Sequence, residues 1–386
     1  MKKVLIFSLN YYPFVGGAEV AIQEITSRIP ADQIEFHLIA YRFDANLPRE
    51  EQVGNVFVHR VGWGRRGMTF SESFQPVVYL AKVAYVPLAT LKALSLRRQI
   101  TFGAAWAMMT YMVFPLVFMR MLGTGLPYLL TLQEGDPFER VFDRARIRFF
   151  SPLLLYGIRG ASAVQAISSF LGEWARRCHF VGRLEIIPNG VDIQRFAGEP
   201  VPHAGTVLIT SSRLVHKNAV DTIIRALALL PPEISLVVAG NGPDEASLVQ
   251  LAQEQGVAKR VVWKGYVDHA HLPGLLHTAD IFVRPSRSEG MGNSFIEAMA
   301  AELPVIGTQE GGISDFLFDA KRNPDKEPTG WAIDKDAPGQ IAGAVQDILA
   351  HPNEVARTVA NAKKLVSEQY EWNLIARRMK ALMLSL

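Results

Sequence analysis

Arg284-Pro285-Ser286-Arg287-Ser288-Glu289-Gly290-Met291-Gly292-Asn293-Ser294-Phe295-Ile296-Glu297-Ala298-Met299-Ala300 is the stretch on which the fold turns. Before it, Ile281-Phe282-Val283 is a short apolar run, as expected of a strand buried on both faces. Gly290 and Gly292 leave room for backbone amides to approach a ligand closely. A helix is expected over 294–301, and its first turn offers unpaired N–H groups and a positive dipole end, which together suit a diphosphate. Two carboxylates flank the loop, Glu289 before it and Glu297 in the first helical turn, and carboxylates accept hydrogen bonds from sugar and ribose hydroxyls without a metal. Ser294-Phe295-Ile296-Glu297 also reads as a capping box, which would give Glu297 a structural task instead.

The strand, loop and helix unit recurs on both sides. Upstream, Val4-Leu5-Ile6-Phe7-Ser8-Leu9 and Phe36-His37-Leu38-Ile39-Ala40 read as strands around an amphipathic helix over 18–29. Further strands are expected at 56–61, 125–132 and 163–167. Turn residues interrupt the pattern at Ile187-Pro188-Asn189-Gly190-Val191-Asp192, and a Pro- and Gly-rich stretch over 198–205 reads as the linker. A second series follows, with strands at 206–211, 235–239, 261–264, 281–283 and 305–307 separated by helices at 219–230, 244–255, 272–277 and 294–301. Continuous apolar strands alternating with helices imply two doubly wound α/β domains, which bind ligands at the carboxyl ends of their strands. The expected division is 1–185 with 370–386, and 186–369.

Length and composition agree. The chain has 386 residues, 49% hydrophobic and 20% charged, enough for two cores. A net charge of +3 argues against a nucleic-acid coat. The single cysteine, Cys178, cannot close an internal disulfide, which suits a cytoplasmic protein, and no Cys/His cluster suggests a metal. Met1-Lys2-Lys3-Val4-Leu5-Ile6-Phe7 looks briefly like a signal peptide, but Asn10 and Pro13 end the apolar run, and a first strand explains it better. No charge occurs between Arg98 and Arg120, long enough for a membrane span. Pro115 and the need to keep one sheet on one side of a bilayer favour a buried strand followed by a buried helix.

The segment with Glu289 and Glu297, separated by seven residues, resembles the paired-glutamate signature of family 4 glycosyltransferases, and four other motifs join it. Gly16-Gly17-Ala18-Glu19 resembles that family's amino-terminal glycine loop, and Ile187-Pro188-Asn189-Gly190-Val191-Asp192 its hinge. Ser212-Arg213-Leu214-Val215-His216-Lys217-Asn218 resembles its phosphate loop, and Ala239-Gly240-Asn241-Gly242-Pro243 its second glycine turn. The resemblance implies a GT-B fold, two Rossmann-like domains facing a cleft, with a last helix crossing back to the amino-terminal domain. It implies a retaining transfer from a nucleotide-diphosphate sugar, with no cofactor and no metal. The departing phosphate would help deprotonate the acceptor hydroxyl.

In that scheme Glu289, Arg213 and Lys217 are the catalytic candidates. Glu289 orients the sugar, Glu297 holds the ribose, and the two cations neutralise the leaving diphosphate. Gly16, Gly17, Asn241, Gly242, Tyr266, Val267, Gly290, Met291, Gly292, Asn293 and Ser294 complete the donor set. Tyr266 and Val267, after Gly265, match where the family holds the base. The chain departs from the family at Leu130-Thr131-Leu132-Gln133-Glu134-Gly135-Asp136-Pro137. Gln133 stands where many members have a histidine, which turns attention to Gln133, Glu134 and Asp136 as acceptor ligands.

Basic residues accompany aromatics in three groups: Arg60, Trp63, Arg65, Arg66 and Phe70; Lys82, Tyr85, Lys92, Arg97 and Arg98; and Arg140, Arg144, Arg146, Arg148, Phe149 and Phe150. Such groups can attach a protein to anionic lipid, at the inner face of the membrane for a cytoplasmic enzyme. A glycan or lipid-linked acceptor fits that placement. Two alternatives share the fold: a nucleotide-sugar epimerase, which needs no acceptor, and a non-catalytic nucleotide-sugar binding protein.

Overall fold

The computed structural model of the chain describes residues 1–68, 79–142 and 145–386. Its contacts divide it into Met1–Asn189 with Trp372–Leu386, and Gly190–Glu371. The first changeover falls inside the 187–192 turn segment. The 198–205 stretch, expected as the linker, lies within the second unit.

In the first unit β1 (Lys2–Phe7), α1 (Gly17–Ser27) and β2 (Ile34–Tyr41) are followed by a hairpin of β3 (Glu50–Val53) and β4 (Val56–Val61). Then come α2 (Tyr79–Arg97), β5 (Ala104–Met108), α3 (Val113–Met121), β6 (Tyr128–Leu132), α4 (Phe138–Phe142) and α5 (Ala145–Arg159). β7 (Ala163–Ala166), α6 (Ser169–Arg177) and β8 (Arg183–Ile186) complete the series. The eight strands lie in the order β3-β4-β2-β1-β5-β6-β7-β8. All neighbours are parallel except β3 and β4. Every residue of β5 and of β6 is buried, which is why their sequences are apolar apart from Thr131, whose hydroxyl is bonded to Trp106 and Gln165. The charge-free stretch is thus β5 and α3 packed inside this unit. Among the described residues no helix is long and apolar enough to cross a membrane.

The second unit runs α7 (Ile193–Phe196), β9 (Thr206–Ser211), α8 (Val220–Leu227), β10 (Ile234–Ala239), α9 (Glu245–Glu254) and β11 (Val261–Gly265). It continues with α10 (Leu272–Leu276), β12 (Ile281–Arg284), α11 (Asn293–Ala300), β13 (Val305–Thr308), β14 (Trp331–Ile333), α12 (Pro338–Ala350) and α13 (Pro352–Gln369). Its six strands, all parallel, lie in the order β11-β10-β9-β12-β13-β14. The chain winds outward from β9 to β11 and then restarts on the other side of β9 with β12. The β9–β12 junction is therefore the switch point at which doubly wound sheets bind ligands.

The last helix, α14 (Trp372–Leu384), belongs to the first unit. Trp372, Ile375, Met379, Leu382 and Met383 are buried in one core with Val4, Ile6, Ile22 and Ile25 of β1 and α1. Polar contacts fix the helix at its middle and just past its carboxyl end: Arg378 donates to the Ile186 carbonyl (2.7 Å) and Arg183 to Ser385 Oγ (2.8 Å). Cys178 is buried, and burial pushes its thiol up to about 11, so it is not a reactive thiolate near neutral pH.

Candidate active site

Glu289 sits in the loop between β12 and α11 and is buried with its partner Arg284, the last residue of β12. Arg284 Nη2 donates to Glu289 Oε2 at 2.5 Å, and its Nε donates to Ser286 Oγ at 3.2 Å. The same guanidinium reaches Ser294 Oγ in the first turn of α11, and Asn218 Oδ1 and the Ser211 carbonyl at 3.4 Å each. A buried carboxylate is costly unless paired, and this ion pair supplies the compensation.

α11 begins one residue earlier than expected, at Asn293, with Gly292 as its N-cap at φ 93° and ψ 68°. A Cβ at Gly292 would lie 2.7 Å from the Phe295 ring, so glycine is required both for backbone angle and for space. The shift removes the capping box. Ser294 lies inside the helix and receives Arg284, while Glu297 Oε1 accepts from His269 Nε2 at 3.1 Å. The His269 ring leans edge-on against Phe196, and its carbonyl accepts from Arg195. Glu297 is 8% exposed, and Gly290 and Met291 are buried between the two glutamates. Asn293 is half-buried.

The phosphate-loop candidates follow the neighbouring strand β9. Arg213 is exposed and Lys217 half-buried. The loop is tied from beneath: buried Asn218 Nδ2 donates to the Arg213 carbonyl (2.6 Å), and the Arg287 amide donates to the Lys217 carbonyl (2.7 Å). Arg287 is clasped by Asp221 at 2.8 and 3.0 Å and by Asp336 at 2.6 Å, and the Asp221 bond raises its pKa further above the usual guanidinium value. It is thus a fixed strut for the Lys217 loop. After β10, the chain passes so close to this loop that a Cβ at Gly240 would meet the Ser212 carbonyl at 1.9 Å, and one at Gly242 the Leu214 carbonyl at 2.2 Å. Exposed Asn241 accepts at its carbonyl from the Leu214 amide (2.9 Å). Tyr266, 64% exposed, and half-buried Val267 follow β11. The expected donor residues of this unit therefore stand on the loops after four adjacent strands, β11, β10, β9 and β12.

In the first unit Gly16 caps α1 and its amide donates to Glu19 Oε2 at 2.7 Å. Exposed Gly17 is the first residue of that helix. Glu19 is buried, and burial raises its pKa above the usual carboxylate value. Glu134, expected among the acceptor ligands, is instead a buried fastener. Its Oε1 accepts from the Thr110 amide at 2.6 Å and its Oε2 from the Gln133 amide at 2.9 Å, so both oxygens are engaged by the backbone. Burial raises its pKa as well. Gln133 and Asp136 are half-buried. Among the described residues, the buried amide oxygens of Gln133, after β6, and of Asn10, after β1, have no hydrogen-bond partner.

Residues 16–190 match the family model described as "Glycosyl transferase 4-like domain", and residues 193–365 match "Glycosyl transferases group 1". The chain belongs to the family 4-type glycosyltransferases. A GDP-mannose-dependent alpha-(1-6)-phosphatidylinositol monomannoside mannosyltransferase of Mycolicibacterium smegmatis is 30% identical over 52% of this chain and 56% of its own length. The chain thus spans little more than half the length of that curated relative. Among solved structures, sucrose-phosphate synthase from Thermosynechococcus elongatus superposes with a TM-score of 0.83 at 19% identity, over 100% of this chain and 99% of the other. Anabaena HepE in complex with UDP-glucose superposes with a TM-score of 0.76 at 18% identity over the whole of both chains. At these identities the likeness concerns the two-domain GT-B fold.

As a member of this family the chain has two supporting residues that its motifs do not announce, Arg284 and Arg287. A basic residue next to a proline looks like a solvated loop charge. Only the pairing of Arg284 with a carboxylate five residues on hints at a role. The basic and aromatic groups are mixed in placement. Trp63, Phe149 and Phe150 are 70%, 80% and 51% exposed. Tyr85 is fully buried and donates to the Ile39 carbonyl, and Arg60 is buried against Glu51 and the carbonyls of Pro48 and Tyr12, so neither belongs to a surface patch. Phe70 and Arg144, and the side chain of Arg146, lie outside the described residues. A groove of about 470 Å³ in the first unit is lined by Arg49, Glu50, Arg60 and Lys92, of which Lys92 and Glu50 pair at 2.5 Å.

Proposed function

We propose that this protein is a retaining glycosyltransferase that moves a hexose from a nucleotide-diphosphate donor to a glycan or lipid-linked hydroxyl. The observation that carries this reading is the pair of buried glutamates on either side of the Gly290–Gly292 turn, beside the Arg213 and Lys217 loop at the β9–β12 switch point. The helix start and two cations suit a diphosphate, and the glutamates suit hydroxyls of sugar and ribose. In the reaction the bond from the anomeric carbon to the β-phosphate oxygen breaks. The acceptor oxygen bonds to the same face of that carbon, and its proton passes to the departing phosphate, giving a nucleoside diphosphate. Arg213 and Lys217 stabilise the charge that develops on the leaving group.

GDP-mannose is the first donor to test, since the M. smegmatis relative is named for it; UDP-glucose is the second, as the ligand of the Anabaena structure. On the acceptor side, exposed Trp63, Phe149 and Phe150 with neighbouring arginines suit an anionic lipid surface. A thermal-shift panel of GDP-mannose, UDP-glucose and ADP-glucose tests the donor, because a ligand that binds only the folded state raises Tm. Stabilisation by none of them would count against the reading. Isomerised nucleotide sugar released without acceptor would support an epimerase instead. Turnover is expected to persist in excess EDTA, because in this scheme Arg213 and Lys217 carry the leaving-group charge that a divalent ion would otherwise stabilise. Abolition by chelator with recovery on added magnesium or manganese would overturn the metal-free scheme.

A further inference from the structure

We propose that Arg284 is a positioning residue for Glu289, and that its fork sets which carboxylate oxygen faces the sugar. This inference rests on the proposed transferase reading. Three observations carry it. Arg284 Nη2 takes Glu289 Oε2 at 2.5 Å, and among the described residues Oε1 has no hydrogen-bond partner, which leaves it as the oxygen available to a ligand hydroxyl. The same guanidinium bonds Ser294 in the first turn of α11 and lies 3.4 Å from both Asn218 Oδ1 and the Ser211 carbonyl. Asn218 in turn holds the Arg213 carbonyl. One buried cation therefore joins the sugar-side carboxylate, the helix start and the base of the phosphate loop.

A guanidinium suits this task because it is planar and presents its five N–H donors in a fixed geometry, so several acceptors are fixed relative to each other. Its plane is held in turn by Ser286 on Nε and by the Phe295 ring, whose centroid lies 5.8 Å from the guanidinium carbon. Arg284 itself is 9% exposed behind the loop, and the inference assigns it no contact with substrate. A displacement of Glu289 of the order of 1 Å is enough to cost about 100-fold in rate, with nucleotide binding through other residues little changed.

The test is a double-mutant cycle with Arg284→Gln and Glu289→Gln, read as nucleotide release from GDP-mannose, or from UDP-glucose if the wild type consumes that instead. Nucleotide affinity and Tm are measured on the same samples. The expected result is a kcat about 100-fold lower in Arg284→Gln with KM for the donor within a few-fold, and little further loss when it is added to Glu289→Gln. Arg284→Lys keeps the buried charge but not the fork, so it remains testable even if the glutamine variant fails to fold; a partial recovery, to about 10-fold below wild type, is expected. Losses that multiply in the double variant, an effect confined to KM, or full turnover in Arg284→Lys would each overturn the inference while leaving the transferase reading intact. Unchanged turnover in Glu289→Gln alone would remove the role given to Glu289 itself, and the inference with it.

Discussion

Glu289 and Glu297 have different partners, and their substitution should produce different defects. Glu289 is clamped by Arg284 at the end of β12, whereas the Glu297 carboxylate, among the described residues, pairs with the His269 ring and sits in the helix's first turns. Glu297→Ala should weaken nucleotide binding by 10- to 100-fold, roughly one charged hydrogen bond, while Glu289→Ala chiefly lowers turnover. Isothermal titration with the free nucleoside diphosphate and steady-state rates separate the two. Unchanged affinity in a folded Glu297→Ala protein would return Glu297 to a structural role. Gly292 makes a prediction at the same scale. At φ 93°, with Phe295 against the absent Cβ, Gly292→Ala should cost about 1–3 kcal/mol and loosen the start of α11. A Tm and a nucleotide affinity both equal to wild type would refute this.

At the scale of elements, β2 and β4 carry a titratable chain that the strand pattern conceals. His37 Nδ1 and His59 Nε2 are 3.1 Å apart; His37 Nε2 bonds Glu35 at 2.8 Å, and His59 Nδ1 lies 3.3 Å from Glu50. Lys3 pairs with Glu35 and Lys92 with Glu50. Burial, foremost, holds the His59 pKa below 6.5, and the Lys92 bond, foremost, holds Glu50 below its usual 4.5. A histidine with a lowered folded pKa stabilises the fold above about pH 6.5, and that contribution is lost as pH falls below it. Buried Glu19 and Glu134, with raised values, act in the opposite sense above 4.5, so the informative quantity is a difference. His59→Phe should flatten the acid-side fall in stability between pH 7 and 5.5, by at most about 1.4 kcal/mol per pH unit. Identical slopes in denaturant titrations of the two proteins would contradict it. The same strands show what a sequence discloses. β1, β5 and β6 were legible because strands buried on both faces must be continuously apolar. β3 was not, because Glu50-Glu51-Gln52-Val53 is a short, charged edge with alternating exposure, which is how edges avoid pairing with other chains. β14 is three residues long and offers no period to read. The glutamates and glycines of the site were legible as a local motif. Arg284, Asn218 and His269 were not, because their roles depend on contacts across 5, 66 and 28 positions of sequence.

For the molecule as a whole, the consequential feature is that the first unit is closed by the chain's last helix. The polypeptide leaves that unit at Asn189 and returns at Trp372, so the core around β1 and α1 is incomplete until residue 383 is in place. Trp372, Ile375, Met379, Leu382 and Met383 are each 2% exposed or less. At about 1.5–3 kcal/mol for each fully buried large side chain, the helix contributes on the order of 10 kcal/mol of burial, an upper estimate because the unfolded chain already hides some of this surface. A domain is stable by only about 5–15 kcal/mol in total. Deleting everything after Tyr370 should therefore unfold the first unit, whereas the second unit, Gly190–Glu371, loses only Glu371. Calorimetry of the truncated protein is expected to lack one transition, and the remaining one should still respond to nucleotide, since Arg213, Lys217, Glu289 and Glu297 all remain. Met379→Asp is the milder form of the same experiment, placing a charge in the centre of that core, and should lower the same transition selectively. A truncated protein with both transitions at wild-type temperatures would mean that β1 and α1 can be covered without α14.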